Sequence, residues 1–182
     1  MRYTGEKSLS SFVKIFLEFM FYLMIIVNIL IIVDKIFGLK LLRPNPQDFE
    51  YRGMRFKRPH NIKIPIYIEI LRLIIGVLNI YIVYSLKVIF RNFSKEKIFD
   101  KLNFIKLKQV ALVMLIIGLI NSILSISRGR IVNEILKKDH VIIKNIFDLV
   151  KMDIFMYGLA ILIFAEIFNN AIKIKQENDF TI

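Results

Sequence analysis

Four blocks dominated by Leu, Ile, Val, Phe and Met constrain this chain more than any other feature: residues 19–33, 64–90, 110–126 and 154–168. A helix needs roughly 17–25 residues to cross hydrocarbon, and each block approaches or exceeds that length once its flanks are counted. The expectation is an all-α membrane protein, a single domain over residues 1–182 with four transmembrane helices at about 12–37, 64–90, 104–127 and 145–172. Apolar residues make up 56% of the chain, against roughly 45–50% in soluble domains.

The first block follows Arg2, Lys7 and Lys14 as a secretory leader would. Its apolar core exceeds the roughly 7–15 residues of a leader, and Val33-Asp34-Lys35-Ile36-Phe37 offers no pair of small residues for cleavage. It reads as a retained anchor. The chain has no cysteine, which excludes disulfides, thiolate metal sites and a cysteine nucleophile. A net charge of +12 raises the question of nucleic acid, but the Lys and Arg residues sit between the apolar blocks, where a membrane protein keeps them. Direct nucleic-acid binding is therefore not expected, and the lipid bilayer is the first partner.

Small residues predict how the helices meet. The first helix has no Gly, Ala or Ser between residues 12 and 37, so it belongs at the periphery, with Asn28 as its one deep polar residue and a packing contact as that residue's expected role. In the second, Glu69, Arg72, Gly76, Asn79 and Val83 recur every three or four positions and share one stripe. Glu69 and Arg72 can pair or snorkel to the interface, which reduces the cost of charge in the membrane. Pro65 suits the start of that helix. The third carries Ala111, Gly118 and Ser125 at seven-residue steps, and the fourth repeats the device with Gly158 and Ala165. Helices three and four are the expected tightest pair.

Between the first two helices, Phe49-Glu50-Tyr51-Arg52-Gly53-Met54-Arg55-Phe56 alternates apolar with charged residues around a glycine, which predicts a small extracytoplasmic β-hairpin. Residues 128–144, with Ile131, Ile135 and Leu136 among charges, read as a short amphipathic surface segment. The basic residues divide almost evenly between the two sides of the membrane, so charge bias does not orient the chain.

Motifs for catalysis are missing. His60 and His140 are the only histidines and each stands alone in a loop. There is no GxSxG, no phosphate-binding glycine loop and no HExxH. Asp153 and Glu166 share a helix but sit about 140° apart around it. Neither enzyme activity, nor a cofactor, nor a metal is expected. A transporter or ion-conducting protein needs ionisable groups at depth and interrupted helices. The residues offered for that alternative are the Glu69, Arg72 and Asn79 stripe and Glu166.

Two stretches resemble a known family, the bacterial membrane proteins catalogued as domain of unknown function 2975. The first is Ala165-Glu166-Ile167-Phe168 followed by Gln176-Glu177-Asn178-Asp179-Phe180-Thr181-Ile182; the second is Phe99-Asp100 with Asn103, then Leu107 and Lys108. Ile98 and Lys97 stand where the family commonly has proline and glycine, which predicts a less sharp turn. The resemblance implies four helices, cytoplasmic termini and middle loop, and location in the cell inner membrane. It also implies a regulatory partner, a small cytosolic helix-turn-helix protein. Phe99, Asn103, Glu166, Glu177, Asp179 and Thr181 would then share one face. Glu166 either contributes to docking there or accepts hydrogen bonds from Asn103 or the tail and locks the bundle.

Overall fold

The computed structural model describes residues 8–37, 48–51, 54–57, 64–136 and 152–179. Its framework is α1 (Leu9–Phe37), α2 (Ile66–Ser94), α3 (Lys101–Leu136) and α4 (Met152–Asp179), each long and apolar enough to cross a membrane. Phe12, Phe19, Val77 and Phe164 are each more than 60% exposed. Such surface would drive association in water, whereas in a bilayer it is the solvated face. The four spans make this a multi-pass membrane protein.

Between α1 and α2, β1 (Asp48–Tyr51) and β2 (Met54–Lys57) pair antiparallel, with Phe49 opposite Phe56 and Tyr51 opposite Met54. This pair coincides with the alternating segment of the sequence.

Packing follows chain order: α1 lies on α2, α2 on α3, and α3 on α4. Neighbours run antiparallel, as the contacts Glu18 to Lys87, Tyr81 to Gln109 and Phe99 to Phe168 require. The start of α1, the α2–α3 turn and the end of α4 consequently lie together, at what we call the turn end.

Side-chain size explains the spacing. In its most apolar stretch α1 buries no residue, as its lack of small residues predicts. It approaches α2 closely at Gly76, where an added Cβ would overlap Asn28 Oδ1. The Asn28 amide donates to its own helix, at Met24 O 2.8 Å away, so its role between helices is packing. Across α3 and α4, a Cβ on Gly158 would stand 3.2 Å from Ala111 O, and one on Gly118 3.5 Å from Phe155 Cβ. These small residues permit the extensive α3–α4 contact, and Ala165 is buried in the same seam.

Helix boundaries differ from the sequence expectation, chiefly in three places. Instead of stopping near residue 127, α3 runs to Leu136, because Ile131 joins Leu124 and Ile68 in a buried cluster with Leu71 and Ile75. The proposed amphipathic surface segment is thus helix in its first part, and residues 137–144 lie outside the described residues. Second, α4 continues to Asp179 rather than ending near 172; Lys173, Lys175, Gln176 and Glu177 have straight side chains that lose little freedom in a helix. Its expected start at 145 falls outside the described residues. Third, α2 continues to Ser94 and α3 begins at Lys101, shortening the loop between them.

Candidate functional site

The turn end is built from short-range hydrogen bonds. Ser94 Oγ donates to Arg91 O, and the Lys95 and Lys97 amides both donate to Asn92 O. Glu96 takes a left-handed conformation with φ 62°, which turns the chain between α2 and α3. Such a conformation costs an L-residue roughly 1–2 kcal/mol. The left-handed residue is thus Glu96, next to Lys97.

Asp100 then starts α3. Its carboxylate accepts from the Leu102 amide at 2.8 Å and its carbonyl from the Asn103 amide at 2.9 Å, which is N-capping. Asn103, 1% exposed, donates to Lys97 O and Ile98 O at 2.8 Å each and accepts from Asn92 Nδ2 at 2.7 Å. A small polar residue followed by asparagine three positions on thus has a structural cause: one starts the helix and the other holds the turn to it.

Phe99 projects from this turn, 43% exposed. Its ring stacks on Phe168 of α4, with centroids 5.9 Å apart and planes 14° apart, and Lys175 Nζ lies 5.5 Å from its centroid. The two stretches singled out in the sequence therefore touch, through Phe99 and Phe168. Residues 169–179 follow the stack, and at 1.5 Å per residue α4 reaches roughly 16 Å past it. Ile172 is still buried, but residues 173–178 are all exposed.

Glu166 does not reach Asn103. It is exposed on α4, and among the described residues it accepts one long bond, 3.4 Å, from Asn169 Nδ2. The bundle lock is instead Asn103, whose amide is committed to the turn carbonyls and Asn92. Glu177 is exposed on the projecting part of α4 and Asp179 is its final residue; Thr181 lies outside the described residues. Asn92 and Lys175 were not foreseen as parts of this face. A polar residue just inside the end of α2 was the available signal for Asn92; nothing local marked Lys175.

The α2 stripe lies elsewhere. Glu69 and Arg72 pair at 3.2 Å, and Glu69, Arg72, Gly76, Asn79 and Val83 are all half-buried. Gly76, in the middle of the line, is covered by Asn28 of α1. The stripe is thus occupied by helix packing at its centre. Among the described residues no group of three or more His, Asp or Glu could hold a metal ion.

A family model described as Protein of unknown function (DUF2975) matches residues 55–182. The match takes in α2, the turn, α3 and α4, and leaves α1 outside it. No curated protein and no solved structure matches the chain.

Proposed function

We propose that this chain, which belongs to the DUF2975 family of unknown function, is a non-catalytic inner-membrane protein that binds a soluble cytosolic partner at the turn end. The observation that carries this reading is the projecting end of α4. Past Ile172, its last buried residue, α4 runs on for about two turns, and Lys173, Gln176 and Asn178 are exposed there. A braced helix presents its side chains with little ordering entropy to lose on binding.

In this reading the termini and the α2–α3 turn face the cytoplasm, and the β1–β2 hairpin stands on the extracytoplasmic side. The partner is a small regulator of the helix-turn-helix type, held away from its target while bound. The alternative of a small transporter or ion-conducting protein has against it the Asn28 side chain seated on Gly76.

Co-purification from mild detergent tests the proposal. Because Ile172 is buried and Lys175 reaches the Phe99 ring, the informative truncation ends at Lys175 and spares both. A partner retained by the full chain is expected to be lost on truncation. An unchanged set of retained proteins would contradict docking at the end of α4.

A further inference from the structure

A second polar feature lies near the turn end on α1, α2 and α3, away from the Phe99–Phe168 stack. Lys106 of α3 extends its ammonium over two rings of α2, 5.5 Å from the Tyr81 centroid and 5.3 Å from that of Tyr84. Tyr81 is held in place by its hydroxyl, which donates to Gln109 Oε1 at 2.7 Å. On the other side, Lys87 Nζ lies 2.8 Å from Glu18 Oε1 and over the Phe21 and Tyr22 rings of α1. Lys14 and Arg91 are close enough to act electrostatically on the same carboxylate.

The charges do not balance. Lys14, Lys87, Arg91 and Lys106 share this region with Glu18, and Glu18 is taken by Lys87. Among the described residues no carboxylate pairs with the Lys106 ammonium. Tyrosine faces attract a cation, for about 0.5–1 kcal/mol at exposed sites, and leave its positive charge uncompensated.

Residues seven apart on a helix lie almost on one line. Val77, Tyr84 and Arg91 form such a line on α2; Val77 is 63% and Tyr84 42% exposed, and Arg91 is exposed. An open apolar strip therefore leads about 20 Å along the helix to a guanidinium, with Lys87 and Lys106 near it. Its dimensions and polarity complement one lipid: an acyl chain along Val77 and Tyr84, and an anionic headgroup among the cations. We propose that this strip is a binding site for an anionic phospholipid of the leaflet at the turn end, its phosphate held by Arg91 and Lys106. Tyrosine and lysine at headgroup depth also form a general interfacial belt. What distinguishes a site is selectivity that depends on these two cations and not on neighbouring ones.

Native mass spectrometry of the full chain, released from detergent containing equal phosphatidylglycerol and phosphatidylcholine of the same acyl length, measures that selectivity. The wild type is expected to retain phosphatidylglycerol preferentially. Lys106→Gln and Arg91→Gln are each expected to reduce the preference about fivefold, equivalent to ~1 kcal/mol per cation at a membrane surface. Lys106→Arg keeps the charge and is expected to keep the preference; Lys101→Gln, an exposed cation off the strip, is expected to leave it unchanged. Equal preference in wild type, Lys106→Gln and Arg91→Gln would overturn the site, as would an equal loss in Lys101→Gln. Release of the bound phosphatidylglycerol by an equal concentration of inorganic phosphate would overturn the lipid as its ligand.

Discussion

Replacing Asn103 with alanine removes the one side chain that ties the α2–α3 turn to both helices. Three hydrogen bonds of 2.7, 2.8 and 2.8 Å disappear, from a residue 1% exposed. A typical hydrogen bond contributes about 0.5–1.5 kcal/mol net, and buried partners left unsatisfied cost more. The turn that carries the Lys97 and Ile98 carbonyls is exposed at Lys95, Glu96 and Lys97, so water can replace part of what is lost and we expect a loss of about 2–3 kcal/mol. Asn103→Asp sharpens the test because it keeps the shape. The aspartate can still accept from Asn92, but it loses both donors and sets a carboxylate oxygen against two carbonyl oxygens. Its cost should equal or exceed that of alanine. Equilibrium unfolding in mixed micelles, followed by far-ultraviolet circular dichroism, measures both, with the usual requirement of two-state behaviour. An Asn103→Ala loss within about 0.5 kcal/mol of zero, below one ordinary hydrogen bond, or an aspartate variant milder than alanine, would refute the hydrogen-bond account.

The two glycines of the α3–α4 seam should respond differently in the same assay. Gly118→Ala meets only ordinary contact at 3.5 Å and should gain up to about 1 kcal/mol from helix propensity, whereas Gly158→Leu should lose roughly 1–3 kcal/mol by overpacking against Leu115 and the Ala111 carbonyl; equal effects would contradict the seam geometry. Phe99→Ala removes the Phe168 stack and the Lys175 contact, for a loss of about 1–2 kcal/mol, and should increase amide exchange in residues 172–179; unchanged exchange would show that the stack does not brace α4. Glu166→Gln should change stability by less than about 0.5 kcal/mol, as expected of a surface position, and a larger loss would restore Glu166 as a structural lock.

The framework was legible because the membrane reads it through length and hydropathy alone. Small residues also marked the α3–α4 seam, since they permit close approach of two helices. Helix ends were harder. Nothing local in Arg128-Gly129-Arg130 announces that α3 continues; the burial of Ile131 against Ile68 is a tertiary effect. The polar stretch after Ile172 looked like a tail because it leaves the apolar pattern, yet its residues are good helix formers and α4 carries them on. Residue types drew attention to Phe99, Asn103 and Glu166 alike, but partners decide roles. Asn103 is a buried tie, Phe99 is a brace, and Glu166 is exposed on the side of α4. The pairing of Lys106 with Tyr81 and Tyr84 had no signature at all, because it depends on the register between α2 and α3.

Photo-crosslinking in intact cells tests the docking proposal most directly. A benzophenone amino acid at Gln176, exposed on the projecting part of α4, is compared with the same probe at Phe164, 69% exposed on the apolar face. The account predicts a crosslink from position 176 to a soluble cytosolic protein, and none to that protein from position 164. Crosslinks to lipid or membrane proteins alone from both positions would contradict it.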